Sequence, residues 1–521
     1  MKDLPHRFRT AIGFFAAVLF GFSSSAAQQS HWVRQDSGGK LLYTYTSKGD
    51  RIPDFSYAGY EGGGVALPSI PAKRTIKPSG ADDCDAIQSA IDAVSALPLV
   101  NGFRGAVELA PGTFHCGRTL SITASGVVLR GAGDGKNGTT IEMTGSPHLA
   151  LRIAGHLQQT DLGSSTYITD AYVPAGTFVI HVDHSANLHP GDLLLIRKPV
   201  TQAWIKFMGM DNMFRNGRPE HWIRAPYLDV RRQIAAVNGN TITLTVPLMD
   251  DYGARFFDGG HALVSKIDLS GQLSHIGIED LRFVAPKRVI ALGEPAFGGL
   301  AIRDVVDSWL RSVALLDTTN GISINSGSER MTFLKCSVVQ EAAVTSHAKP
   351  ADFACNGSQI LFDRCSGSGD STFYIVTQAG EQGPVVALNC RFLGNGAIEP
   401  HQRWSTGLLI DNCDVPGGGI DLMNRGEMGS GHGWPIGWSV VWNSSAQRLG
   451  MNQPPGSYIW SIGNRGQQTD PAFPVFDGGP PRAPLPPATV DSPGKPVQPQ
   501  SLYLAQLKER LGKAALKNIG Y

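Results

Sequence analysis

The sequence predicts an all-β solenoid in which short parallel strands stack coil upon coil, with one capping helix, an inserted β subdomain and a terminal helix. Three observations predict it. Four segments ending in cysteine recur at separations of 29, 25 and 23 residues. The remaining chain is mostly short alternating apolar runs broken by turns, with 62 glycines in 521 residues. A single amphipathic helical stretch stands directly before the first of those runs. Periods in the twenties built of strand-like units mean repeats that bury their apolar faces only by stacking.

The chain opens on a targeting pattern. Lys2, Arg7 and Arg9 form a basic start, Ala11 to Phe22 is apolar, and Ser23 to Ala27 supplies small residues for cleavage after Ala27. The apolar run is short for a bilayer span of about 20 residues, and no other stretch is apolar enough, so the mature chain is expected to lack a membrane span. The expectation is therefore a protein secreted or periplasmic after removal of residues 1–27. Net charge is +1, with 17% of residues charged, which argues against a general nucleic-acid binder. The seven cysteines are too few for disulfides to be the main support of an exported chain this long. Cys84 and Cys116 flank a helix and the first strand, where they can pair.

Residues 28–77 are aromatic and glycine-rich around Tyr57 to Gly64, and read as an extended entry segment. In 78–92, apolar residues at 86, 87, 90, 91 and 94 follow helical spacing behind Asp82 and Asp83, either of which can cap the helix. Gly105 to Leu109 and Thr119 to Ile122 then alternate as strands around Pro111-Gly112-Thr113. The run ADDCDAIQSAIDA … GAVELAPGTFHC … LSITASGVVLRGAG … GTTIEM, within residues 78–145, resembles the opening of pectate-lyase-like superfamily proteins. That resemblance implies a right-handed parallel β-helix of the pectin-lyase fold, its first end capped by the helix. It is specific to fold and silent on substrate. Gly131-Ala132-Gly133 is no phosphate loop, because no helix with the required lysine follows.

The β-helix is expected over 78–465. Its repeat runs Met331–Cys336, Ile360–Cys365, Val385–Cys390 and Leu408–Cys413, with weaker copies ending at Leu281, Val313 and Ser444. The four thiols are expected to stack inside the coil as small hydrophobes. Clustered Cys-x-x-Cys or Cys/His spacing, which a metal site needs, is missing. Residues 157–268 break the repeat and read as an antiparallel β insertion, with the Asn238-Gly239 pair marking a hairpin. Between Arg197 and Gln233 lie eight Lys/Arg against three Asp/Glu, interleaved with Trp204, Phe207, Phe214, Trp222 and Tyr227. This mixture suits an acidic sugar polymer as well as an ordinary insertion surface. Residues 466–521 turn proline-rich and end in a helix, with Leu504, Leu507 and Leu511 on one face.

Equal offsets from the ladder cysteines are expected to line one face at the strand spacing of about 4.8 Å. Offset eleven gives His347, Val376 and His401; offset thirteen gives Lys349, Gln378 and Arg403. Arg425 and Asn424 follow on the next rung, with Tyr374, Trp404, His432 and Trp434 nearby. Such cationic, hydrogen-bonding and aromatic groups fit β-elimination in a uronate polymer. Arg425 and Gln378 would neutralise the sugar carboxylate, and Lys349 would act as base, its charge disfavoured by Arg403 and Arg425. His347 and His401 are competing bases, and Arg403 would hold the leaving oxygen or a carboxylate. His432, Tyr374, Trp404 and Trp434 would contact substrate. Calcium-independent lyases of the resembled fold use similar Lys/Arg sets. No cofactor is expected; the aspartate cluster of a calcium site is absent, with Asp352, Asp370 and Asp421 scattered in the register. The alternative is a glycoside hydrolase. Gly431-His432-Gly433 resembles a polygalacturonase motif, and Asp370 with Glu399 or Asp421 would supply two carboxylates. A non-catalytic glycan-binding module is the third reading.

Overall fold

The computed structural model describes residues 28–291, 293–346, 348–476 and 482–521, so the targeting segment and His347 lie outside the described residues. Twenty-nine short strands join in one continuous parallel hydrogen-bonded system, the β-helix the repeat predicts. Successive coils stack residue on residue. Inside them Ile278, Leu310, Phe333, Phe362, Ala387, Ile410 and Val441 form one register column. All but Ala387 in that column are branched or aromatic, and the Phe333 and Phe362 rings lie 5.1 Å apart. Stacking removes this apolar column from water, which is why no rung needs to be stable alone.

The ladder at the coil's corner follows the repeat. In register, Leu281, Val313, Cys336, Cys365, Cys390, Cys413 and Ser444 succeed one another. Three of the four thiols donate to a carbonyl one rung back: Cys365 to Phe333 at 3.1 Å, Cys390 to Phe362 at 3.4 Å and Cys413 to Ala387 at 3.4 Å. Ser444 continues the pattern to Ile410 at 3.2 Å. The residue before each ladder position takes a left-handed conformation, from Asp280 (φ 55) through Lys335 (φ 54) and Asn389 (φ 52) to Asn443 (φ 48). That single residue turns the chain from one face of the coil to the next, and asparagine tolerates it best.

Helix α1 (Cys84–Ser95) buries Ile87, Ala90, Ile91 and Val94 over the first coils. Cys84 and Cys116 form a disulfide, with Cα atoms 4.8 Å apart. The coil resumes after the insertion without a gap, since Val128 pairs with Gly277 and Leu149 with Gly298. The insertion is a six-stranded antiparallel sheet with its own core around Ile180, Leu194, Ile196, Val230 and Ile242. The Asn238-Gly239 hairpin joins Tyr227–Asn238 to Thr241–Leu244.

The terminal helix α2 (Leu502–Asn518) is interrupted at Gly512 (φ 79) and packs back on the coil. Its buried face is Leu502, Tyr503, Gln506 and Leu507 rather than the expected Leu504, Leu507 and Leu511; Leu511 is exposed. The face rotates because the coil's Asp411 takes the helix start, accepting from Ser501 Oγ at 2.7 Å and Tyr503 N–H at 2.8 Å. Burial pushes the Asp411 carboxyl up to about 7, against the lowering effect of those hydrogen bonds. The folded chain thus holds a proton that the unfolded chain releases near pH 4. Stability is expected to fall as pH rises from about 4 to about 7, by on the order of a few kcal/mol from this group. Urea midpoints of wild type and Asp411→Asn at pH 5 and pH 8 check this. The variant should flatten the dependence, and an unchanged slope would remove Asp411 as its source.

Candidate functional site

The insertion holds a buried ionic centre of its own, and two tryptophans of the coil bond to it. Lys198 Nζ lies 3.0 Å from Asp250 and 3.5 Å from Asp251. Trp404 Nε1 donates to Asp250 at 3.0 Å, and Trp438 Nε1 to Asp251 at 3.3 Å. Burial works against the charge on Lys198, but the two aspartates outweigh it and hold it protonated. Around this centre Trp204 and Trp222 stack at 5.1 Å, with Trp404 edge-on to both. Trp434 Nε1 donates to the Met208 carbonyl at 3.0 Å.

This seam corrects part of the expected substrate surface. Trp404 and Trp434 are buried in it and present no face to a ligand; neither do Trp204 and Trp222. Tyr374 is also withdrawn: it lies inside the coil, stacked on Phe392 at 4.9 Å, with its hydroxyl accepting from Gly396 N–H at 3.1 Å. Aromatic rings are large apolar surfaces first, and a seam between two sheets buries them unless something holds them out.

Equal-offset counting also fails at this edge. Val376 pairs with Ala354, and Ile375 with Ile398, so Val376 is flanked by Ala354 and Glu399 rather than by His347 and His401. An irregularity between Phe373 and Ile375 contributes to the slip. A bulge adds a residue to one strand only, so constant offsets from the corner no longer describe one row. Lys349 stands in the loop before strand Ala351–Cys355, while Gln378 and Arg403 lie beyond the far ends of their strands. Gln378 is half-buried, with its carbonyl accepting from Glu381 N–H at 3.3 Å.

Side chains nevertheless converge on Phe373, which caps the outer end of strand Phe373–Thr377. Lys349 Nζ lies 5.4 Å from its ring centre, Arg425 Cζ 5.3 Å, and the His401 ring 6.0 Å. Arg425 is ion-paired with Glu399 at 2.8 Å. Its charge is therefore engaged inside the protein, which corrects the expectation that Arg425 is free for a sugar carboxylate. Ile398 pairs with Ile420, so the following residues, Glu399 and Asp421, neighbour each other on successive rungs. Asp421 is gripped by both arms of Arg448, at 2.6 and 3.1 Å. Burial raises the Glu399 carboxyl, opposed by Arg425 and reinforced by Asp421.

His401 and His432 lie 4.7 Å apart. Burial, then Arg425 and Arg403, push His401 down to about 4. Burial, then His401, Arg425 and Arg403, push His432 down to about 3. Both imidazoles are neutral at ordinary pH. Arg403 N–H donates to the His432 carbonyl at 3.0 Å, and its guanidinium donates to Ser430 Oγ at 2.6 Å and to Gln402 at 2.7 Å. Five candidates are thus brought into one neighbourhood: Lys349, His401, Arg403, Arg425 and His432. Phe373 and Arg448 were missed, and Glu399 and Asp421 were expected only as carboxylates of the hydrolase alternative. Only Glu399 and Asp421 left a trace in the sequence, at offsets of nine and eight from Cys390 and Cys413. Asp370 stays apart, accepting from Asn395 N–H at a turn.

Beside Arg403 a cleft of about 560 Å³ opens between insertion and coil, lined by Arg224, Tyr227, Asp229, Asn356 and Gly380. Among the described residues, no group of three or more His, Cys, Asp or Glu is placed to hold a metal ion. No described helix is long and apolar enough to cross a membrane.

No protein-family model and no curated protein matches the sequence. Solved structures do align with it. The tailspike of E. coli bacteriophage HK620, in complex with a pentasaccharide, is 12% identical, with 84% of this chain and 62% of that chain covered and a TM-score of 0.36. PfbA, a surface adhesin of Streptococcus pneumoniae, is 11% identical over 76% of this chain and 78% of that one, with a TM-score of 0.32. The Gp54 tailspike of Acinetobacter baumannii bacteriophage AP22, in complex with a capsular saccharide, is 9% identical over 76% and 71%, with a TM-score of 0.27. At these identities the likeness concerns fold alone.

Proposed function

We propose that this protein is a secreted polysaccharide lyase that cleaves an acidic, uronate-containing polymer by β-elimination at the Phe373 site. The observation that carries the reading is the gathering of Lys349 and the neutral His401 around one ring, beside Arg425 and Arg403. β-Elimination removes the proton next to a carboxylate, so the site must hold that carboxylate against a cation and offer an unprotonated base. Lys349 is exposed and is the cation that meets the carboxylate. His401 takes the proton: imidazole is neutral there, and an anionic sugar offsets the arginines that depress it. Arg403 steadies the leaving oxygen or an adjoining carboxylate. Arg425 positions Glu399 and keeps the His401 ring in a cationic field.

A second reading rests on Glu399 and Asp421. Adjacent rungs bring two carboxylates about one strand spacing apart, roughly the separation of a retaining glycosidase pair. Glu399, raised by burial, would be the acid, and Asp421, held by Arg448, the nucleophile.

Incubation with a panel of polyuronates, with and without chelator, separates these readings. The lyase is expected to generate ultraviolet-absorbing unsaturated uronate in both conditions. New reducing ends without that absorbance would replace the lyase with the hydrolase. Binding without either product would leave a glycan-binding module.

A further inference from the structure

The cleft beside Arg403 is built from two parts of the chain that share no local sequence. Arg224 and Tyr227 come from the insertion, and Arg403, Gly380 and Asn356 from the coil's turns. Two arginines therefore line one opening. Arg224 is mostly exposed, and its carboxylate partner, Glu220, stands off at 3.9 Å. Arg403 donates to Gln402 and Ser430, both neutral, so no carboxylate among the described residues pairs with its charge. The acid of the cleft, Asp229, is already opposed by Arg197 at 3.8 Å, and the Arg197 guanidinium lies over the Tyr227 ring at 5.9 Å. Positive charge thus exceeds negative charge where insertion meets coil. Burial and the facing Arg224 both work against the charge on Arg403, with Glu220 as the offsetting group.

Like charges are brought together across a solvent-filled opening only at an energetic cost, and an anion between them reverses its sign. Guanidinium forks suit a planar carboxylate, which two arginines can hold from opposite walls. A cleft of about 560 Å³ is large enough for one or two sugar rings. Arg403 also joins this cleft to the Phe373 site, because its N–H bonds the His432 carbonyl and His432 packs on His401.

We propose that the cleft between insertion and coil is a uronate subsite, in which Arg224 and Arg403 clamp the carboxylate of a sugar residue next to the one being cleaved. The assignment rests on the polyuronate-lyase reading for its substrate class, and gives the insertion a role in substrate choice. Arg224 is a binding residue here and takes no part in the chemistry.

Affinities of the intact protein for polygalacturonate and alginate oligomers, and for the same oligomers with carboxyls reduced to alcohols, test the subsite. Arg224→Ala is expected to weaken polyuronate binding about tenfold to a hundredfold, the worth of one charge-assisted contact. Arg224→Glu should weaken it further, and neither should alter affinity for the reduced oligomers. Arg224 is exposed, so both variants should keep the wild-type unfolding midpoint. Unchanged polyuronate affinity, equal loss on reduced oligomers, or no polyuronate binding by the wild type would each overturn the subsite. Selective loss in Arg224→Ala without unsaturated product from the wild type would uphold the subsite and remove the lyase.

Discussion

Lys198→Ala is expected to destabilise the protein by about 3–5 kcal/mol, the loss typical of breaking a buried ion pair from one side. The lysine is fully enclosed, and its removal strands Asp250 and Asp251 without their cation. Asp250 is already raised to about 6 by burial while Lys198 holds it down, so without the lysine it would take up a proton and its hydrogen bond from Trp404 would lose the assistance of the charge. The damage should fall on the seam. Limited proteolysis is expected to cut the insertion while the coil, whose core is separate, stays resistant. Asp250→Asn combined with Lys198→Met removes the lysine and its nearer carboxylate, leaves only the partly exposed Asp251, and should recover part of the loss. Urea unfolding measures all of these. A single variant as stable as wild type would show that the centre is not what joins the two parts.

His401→Ala should lower kcat/KM on the cleaved polyuronate by about a hundredfold to ten-thousandfold, the usual contribution of a positioned base. Folding should be retained, since the ring is partly exposed and lies at the coil's outer edge. The pH profile is the sharper measurement. A base pushed down to about 4 in the free protein makes kcat/KM rise with pH through that value and then level off. A profile that instead climbs only in the alkaline range would move the base to Lys349, the assignment the sequence first favoured. Lys349→Ala is expected to raise KM strongly in the first case and to abolish turnover in the second. Wild-type rates in both variants would dismiss the Phe373 site.

The ladder cysteines were legible because stacking forces the same small residue to recur at the same corner. Inward positions face apolar neighbours above and below, so they stay apolar from rung to rung. Outward positions obey no such rule. Lys349 reaches Phe373 from a loop, and Glu399 meets Asp421 although they stand nine and eight residues from their ladder cysteines. Counting from Cys365 and Cys390 therefore found His401 and Arg403 but set them in the wrong rows. Trp404, Trp434 and Tyr374 looked like sugar platforms for a related reason: a sequence displays an aromatic ring without its direction.

By itself the sequence determined the stacked parallel coil, its capping helix, its interrupting β insertion and the thiol column, because each is a periodic demand of burial. Only the tertiary structure decided which cations meet which carboxylates, that Arg425 is already occupied by Glu399, and that insertion and coil share a cleft. Periodicity is a property of neighbours along one chain. Electrostatic partnership and seam burial depend on distances between chain segments far apart in sequence, and a single misplaced bulge is enough to change them.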